Sequence, residues 1–124
     1  MKRTMILGLA LAAAFTATAA FAEDPAGVKR NDGVLTDPAG KPLYIFTMDT
    51  MKGMSHCTGP CATAWPPFVA ANGAKASGDW TIITREDGSK QWALHDKPLY
   101  TFAKDAAGKP GTGEAVSSNW KLAK

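Results

Sequence analysis

The chain has 124 residues, a length that is enough for one hydrophobic core and not for two. It carries 14 basic and 11 acidic residues, a formal net charge of +3, and two of the basic residues, Lys2 and Arg3, stand at the N-terminus. Because the other basic residues form no cluster along the chain, nucleic-acid binding is not indicated.

Residues 1–22 have the three parts of a cleavable signal peptide. The basic head is followed by a short apolar run at 5–15 and by Ala20-Phe21-Ala22, a small-residue cleavage site. Cleavage after Ala22 removes 22 of 124 residues and leaves 102, of which 12 are basic and 11 acidic, a net charge of +1. No later segment reaches the roughly 20 apolar residues of a membrane span. The predicted location is the periplasm or the exterior of the cell.

The first half of the mature chain predicts a β-hairpin. Residues 23–32 are polar and predict a flexible lead-in, and residues 33–124 predict a single β domain. Within it, residues 33–47 are β-prone on both sides of a turn at 37–40, where Pro38 occupies the second position that a type I turn favours.

The second half predicts a three-stranded meander and a last short strand, with strands at 80–85, 90–94, 97–102 and 119–122. Between the halves, residues 61–65 predict one helical turn that is stopped by two prolines. We expect the segment Trp65-Pro66-Pro67 to pack over one edge of the sheet.

An internal repeat relates the two halves. Residues 41–49 align without gaps to residues 97–105, with six of nine positions identical at a separation of 56 residues. Such a duplication predicts two equivalent strands that share one core. In each copy the tyrosine and the phenylalanine are two positions apart in the strand and therefore lie on the same face. The sequence therefore predicts a mostly β fold, a small single domain of two repeated hairpin or meander units with one short helical turn near the cysteine pair.

Three motifs occur together and in order: paired Tyr-x-Phe-x-x-Asp motifs, Cys57-x-x-x-Cys61-Ala-x-x-Trp-Pro-Pro, and Arg85-x-Asp87-Gly88-x-x-Gln91. In this combination the chain resembles the bacterial secreted and lipoprotein family that is named for its Yx(FWY)xxD motif and is also described as a secreted repeat of unknown function. The motif positions are Tyr44, Phe46, Asp49, Tyr100, Phe102 and Asp105. The resemblance implies a small exported domain with two copies of the repeat and supplies no established activity. No lipid anchor is expected, since the predicted cleavage site has no cysteine.

The aspartates Asp49 and Asp105 each follow a predicted strand. At such a place an aspartate side chain accepts hydrogen bonds from nearby backbone N–H groups and fixes a turn. We interpret both residues in this way rather than as ligands.

The two cysteines, Cys57 and Cys61, predict a structural disulfide, because exported small domains in an oxidising compartment use cysteine in this way. Thiol–disulfide exchange is the alternative. It is less favoured because three residues separate the pair, whereas the thioredoxin-type motif has two and stands beside a βαβ pattern.

A cluster of soft donors precedes the cysteines. Met48, Met51 and Met54 are spaced by three residues, and His56 follows within the same nine-residue stretch. Thioethers suit Cu(I), and imidazole suits several transition metals, so periplasmic copper binding is one hypothesis for this segment. The alternative is that these methionines pack against the aromatic core, which is the usual role of methionine.

No catalytic motif is present, so the leading expectation is a non-enzymatic binding or envelope-associated protein of unspecified ligand and partner. His95 is interpreted as an exposed turn residue.

The aromatic residues could line a groove for a sugar or a peptide. Core packing is the better interpretation, because the chain has few long aliphatic residues with which to fill its interior.

Overall fold

The computed structural model describes residues 24–25 and 27–124, so the predicted signal peptide and its cleavage site lie outside the described part. The regular elements, in chain order, are β1 (Lys29–Asn31), β2 (Val34–Thr36), β3 (Tyr44–Phe46), α1 (Pro60–Ala64), β4 (Trp80–Thr84), β5 (Lys90–Leu94), β6 (Lys97–Tyr100), a 3-10 turn (Gly113–Ala115) and β7 (Trp120–Leu122). The prediction of a mostly β domain with one short helical turn beside a Cys57–Cys61 disulfide is confirmed.

Two sheets are present in the described part of the chain. The larger has five antiparallel strands in the order β4-β5-β6-β3-β7, and the smaller pairs β1 with β2. At the centre of the larger sheet, the motif strands β3 and β6 pair with Tyr44 opposite Tyr100. The two repeats therefore meet at the middle of one sheet.

The predicted flexible lead-in at 23–32 differs from the structure, because residues 29–31 form strand β1. The turn that follows explains the difference. Asp32 and Gly33 both have positive φ angles, 50° and 80°, as the two central residues of a type I′ hairpin turn require. An Asp-Gly pair is a strong signal for this turn.

Several other predicted elements are confirmed. The turn at 37–40 is closed by a 2.9 Å hydrogen bond from the Gly40 amide to the Asp37 carbonyl. The meander is formed by β4, β5 and β6, and β7 is the predicted last strand. His95 lies in the turn between β5 and β6, where its side chain is 64% exposed beside Asp79.

We expected the segment Trp65-Pro66-Pro67 to pack over one edge of the sheet, and this expectation is wrong. Residues 66–70 lie between β5 and β6. These two strands pair directly only next to their connecting turn. Farther along, the Phe68 amide donates to the Leu99 carbonyl at 2.8 Å, and the Trp92 amide donates to the Phe68 carbonyl at 2.9 Å. The strands diverge and leave backbone groups without partners, and the inserted segment supplies those partners.

Side chains on the two faces of the larger sheet form separate clusters. The first core cluster contains Leu35, Leu43, Ala70, Trp80, Trp92, Leu94, Leu99 and Ala123. The aromatic cluster contains Tyr44, Cys57, Trp65, Tyr100, Phe102 and Trp120. All four tryptophans are at most 6% exposed, so the interpretation of the aromatic residues as core agrees with the structure.

An approximate twofold relation is visible in the aromatic cluster. Trp65 and Trp120 stack on each other with ring centroids 3.8 Å apart, and the two motif phenylalanines extend the stack outward, Phe46 on Trp120 and Phe102 on Trp65. Each motif tyrosine meets the tryptophan of its own half edge-on. Aromatic pairs contribute about 0.5–1.5 kcal/mol beyond their burial, so this stack is a major link between the repeats.

Candidate functional site

The motif tyrosines and aspartates form hydrogen bonds across the two repeats. The Tyr44 hydroxyl donates to Asp105 Oδ2 at 2.5 Å, and the Tyr100 hydroxyl donates to Asp49 Oδ2 at 2.6 Å. Both tyrosines are fully buried. Each repeat therefore supplies the donor for the carboxylate of the other.

Each carboxylate also fixes the loop that follows its strand. Asp49 Oδ1 accepts the His56 amide at 2.7 Å, and Asp105 Oδ1 accepts the Thr112 amide at 2.9 Å, in both cases from seven residues further along the chain. The prediction that these aspartates bond nearby backbone N–H groups was correct, but it omitted their tyrosine partners. Burying a carboxylate is costly unless it is hydrogen-bonded, and here both oxygens of each carboxylate are used.

Burial, and then the hydrogen bond to the partner carboxylate, raise the pKa of both Tyr44 and Tyr100 well above the ordinary value of 10.0. A neutral tyrosine donates a hydrogen bond to the carboxylate, whereas a tyrosinate would place a second negative charge beside it in the core. Both hydroxyls are therefore protonated hydrogen-bond donors at physiological pH.

A buried arginine extends the pair formed by Tyr100 and Asp49. Ser55 Oγ lies 2.7 Å from the Tyr100 hydroxyl and accepts Arg85 Nη1 at 2.9 Å. The same guanidinium donates to Gln91 Oε1 at 2.7 Å and to the Cys57 carbonyl at 2.6 Å. The hydroxyls of Ser55 and Tyr100 thus connect the positive charge of Arg85 to the negative charge of Asp49. This hydrogen-bonded network compensates both buried charges.

Sequence reasoning did not assign a role to Ser55, Arg85 or Gln91. A signal was present, because Arg85 and Gln91 belong to one of the three motifs and flank a tight turn. Across that turn β4 pairs with β5, which brings the two side chains together. No pattern pointed to Ser55.

The donor cluster lies on the loop formed by residues 48–56, which we call the Met loop. Its base is closed by the hydrogen bond from the His56 amide to Asp49 described above. At its tip the Met54 amide donates to the Met51 carbonyl at 3.2 Å, and Gly53 has a φ of 79°. A β-turn closed in this way brings its first and fourth Cα atoms within about 7 Å, and glycine favours the positive φ of its third position.

The Met loop exposes its donors to solvent. Met48, Met51 and Met54 are 56%, 54% and 47% exposed, and His56 is exposed as well. Only two other large apolar side chains among the described residues, Val69 and Val116, are exposed to this extent. The alternative that these methionines pack against the aromatic core therefore does not agree with the structure.

The second repeat contains a loop of the same length, residues 104–112, which we call the second loop. It is closed by the Thr112 amide on Asp105, and its tip has a turn in which the Lys109 amide donates to the Ala106 carbonyl. It contains no methionine. Since the same loop closes without thioethers, the methionines of the Met loop are not needed for its conformation.

The disulfide lies directly after the Met loop. Cys57 and Cys61 are bonded, with their Cα atoms 5.2 Å apart, and Cys57 has no exposed surface. The predicted pairing is correct. An attacking thiolate would have to approach the bond from the side of Cys61, which is partly exposed.

Two clefts lie near these features. One, of about 70 Å³, adjoins the Met loop and is lined by Met54, Ser55 and Arg85 among others. The other, of about 360 Å³, lies between the β1–β2 hairpin and the second loop, and no aromatic side chain lines it.

Within residues 24–25 and 27–124, no group of three or more His, Cys, Asp or Glu side chains is placed to hold a metal ion. In the same residues no helix has the length and apolar character that crossing a membrane requires.

Comparison with known proteins identifies the repeats. A family described as a secreted repeat of unknown function matches residues 26–69 and again residues 81–124, which together make up more than half of the chain. Neither the curated proteins nor the solved structures contain a match. The matched segments coincide with the two halves that meet at β3 and β6. The chain therefore belongs to this family of secreted repeats and carries two copies of the repeat.

Proposed function

We propose that this protein is a non-enzymatic, envelope-associated binding protein and that its ligand is a soft metal ion, Cu(I), held by the Met loop. The observation that carries the proposal is the exposure of Met48, Met51 and Met54 on a loop whose base is fixed. The motif residues, by contrast, are engaged in holding the two repeats together, and all of them are buried except Phe46, which is partly buried.

The donor set suits Cu(I) better than harder cations. Thioether sulfur is a soft ligand, and imidazole nitrogen accepts Cu(I) as well as harder transition metals. Three thioethers and the His56 imidazole supply up to four neutral donors. A set of neutral donors suits a monovalent ion such as Cu(I).

The geometry of the loop supports chelation. The tip turn holds Met51 and Met54 close together, and the base holds His56 beside Asp49, the neighbour of Met48. The donors thus form two pairs on one short closed loop. Fixing the backbone before binding lowers the entropic cost of gathering flexible side chains around an ion.

A competition titration tests the proposal. The processed protein, residues 23–124, is titrated with Cu(I) without oxygen against a chromophoric Cu(I) chelator, alongside the variant Met48→Leu/Met51→Leu/Met54→Leu/His56→Ala. We expect the variant to lose at least about tenfold in affinity, equivalent to about 1.4 kcal/mol. Leucine preserves the size of each side chain and removes only the sulfur donor.

A matched control is Lys52→Ala, which lies on the same loop and removes no soft donor. Its exposed ion pair with Asp96, at 3.8 Å, contributes little, so Cu(I) affinity and thermal stability should both be retained. Equal affinity in the parent protein and in the variant without donors would end the copper proposal.

We further place the processed protein in the periplasm, free of a lipid anchor. The predicted cleavage after Ala22 and the absence of a cysteine at that position support this location. Cell fractionation and the intact mass of the exported chain provide the test. A mass that starts at Glu23 without added lipid is expected, and a retained N-terminus or an acylated chain would contradict it.

A further inference from the structure

We infer that Met48, Met51 and Met54 form a sulfoxidation site, and that their oxidation by a peroxide-class oxidant releases the soft metal ion without unfolding the protein. The modification itself follows from the exposure and chemistry of the loop. The effect on the metal rests on the proposed function.

The thioethers are the most accessible oxidisable groups of the processed chain. The sequence has five methionines, and the other two, Met1 and Met5, lie in the predicted signal peptide. The four tryptophans are 2–6% exposed, and both cysteines are already joined in a disulfide. A two-electron oxidant in solvent therefore meets the Met loop first.

The chemistry is an oxygen transfer. A lone pair of the thioether sulfur attacks one oxygen of hydrogen peroxide, the O–O bond breaks and an S–O bond forms. The sulfur loses two electrons to the peroxide, and the second peroxide oxygen, which takes up the proton of the transferred oxygen, leaves as water. The product is methionine sulfoxide, a polar group whose dipole replaces the soft sulfur donor.

The fold tolerates this change because no anchor of the loop involves a methionine side chain. The base uses the Asp49 carboxylate and the His56 amide, Lys97 Nζ donates to the Asp49 carbonyl, and the tip turn is closed by backbone groups. The second loop reaches the same closure without any thioether. Sulfoxides that project into water therefore leave the hydrogen bonds and the two clusters intact.

The test begins with the processed protein and hydrogen peroxide, followed by intact mass. We expect three successive single-oxygen increments, at rates within about tenfold of a free methionine peptide, as exposure predicts. Tryptic peptides 31–52 and 53–75 should contain two and one of these oxygens. The variant Met48→Leu/Met51→Leu/Met54→Leu should gain none under the same conditions. Oxidation more than a hundredfold slower than the peptide would overturn the site.

The link to metal is tested with Ag(I), a soft monovalent ion that does not react with peroxide as Cu(I) does. The oxidised protein should lose at least about tenfold in Ag(I) affinity with its melting temperature unchanged. Bound Ag(I) should slow oxidation, because a sulfur lone pair that is bound to the metal cannot attack the peroxide. Rapid sulfoxidation with unchanged Ag(I) affinity would refute the release. A drop in melting temperature would show that oxidation acts by unfolding. If the untreated protein binds neither Ag(I) nor Cu(I), the proposed function fails and the release with it, while the mass result still decides the modification.

Discussion

The reciprocal tyrosine–aspartate bonds lead to a quantitative prediction about which residues are energetically coupled. In a double-mutant cycle, Tyr44→Phe is combined with Asp105→Asn, its partner 61 residues away, and separately with Asp49→Asn, which belongs to its own motif. We expect coupling in the first cycle and none in the second, because Asp105 is the only one of the two motif carboxylates that the hydroxyl of Tyr44 contacts.

The magnitude follows from burial and charge. Tyr44 is fully buried and Asp105 is 6% exposed, and a hydrogen bond to a charged group contributes about 1.5–3 kcal/mol. Removing the hydroxyl leaves one carboxylate oxygen short of a donor and the Gly113 amide short of an acceptor, whereas Thr112 still satisfies the other carboxylate oxygen. We expect Tyr44→Phe to destabilise the protein by about 2 kcal/mol, which lowers the melting temperature of a domain of this size by about 10 °C.

Urea denaturation of the four proteins of each cycle, followed by tryptophan fluorescence, measures the coupling. Asparagine is chosen because it keeps an acceptor oxygen for the loop amide while removing the charge. A coupling energy of about 1–3 kcal/mol for Tyr44 with Asp105 and less than about 0.5 kcal/mol for Tyr44 with Asp49 is expected. The opposite pattern would refute the exchange of partners between the repeats.

Three further predictions concern stability. Because burial raises the pKa of both motif tyrosines, their stabilising effect is complete below their pKa in the unfolded chain, about 10, and is lost as the pH rises above it. Urea midpoints should therefore fall steeply above that pH, and less steeply in a variant in which both tyrosines are phenylalanine. Cys57→Ser/Cys61→Ser should cost about 2 kcal/mol, as the closed loop is short, and an unchanged urea midpoint would contradict this. Arg85→Met should cost about 3 kcal/mol by the same assay, since it leaves buried acceptors unpaired, whereas Arg30→Met, which removes an exposed ion pair, should cost less than about 1 kcal/mol.

Several elements of the fold could be predicted from local sequence because their signals are local. The alternation of Leu43, Tyr44 and Ile45 determined which side chains share a face, since successive residues of a strand point to opposite sides. The helical turn ended where the double proline requires it. The strand at Lys29–Asn31 was missed, although the Asp-Gly pair after it carries the hairpin signal.

Two features of the site depend on tertiary contacts and could not be predicted from local sequence. The sequence identified the Met loop as a cluster of soft donors, but whether the methionines were buried or exposed depended on what packs around them. The role of Asp49 in fixing its loop was predicted from its place after a strand. Its bond to Tyr100 could not be, because that contact joins residues 51 apart in the chain.

The sequence by itself determined the β character of the domain, the disulfide and the presence of two related halves, because each of these is written in composition, periodicity or spacing. The export signal is a prediction from the same kind of pattern and lies outside the described residues. Only the tertiary structure decided that the halves exchange hydrogen-bond partners and that residues 66–70 lie between two strands. It also decided that the thioethers face solvent. The exchange of partners depends on the antiparallel pairing of β3 with β6, which places Tyr44 opposite Tyr100 and brings each strand end to the other repeat.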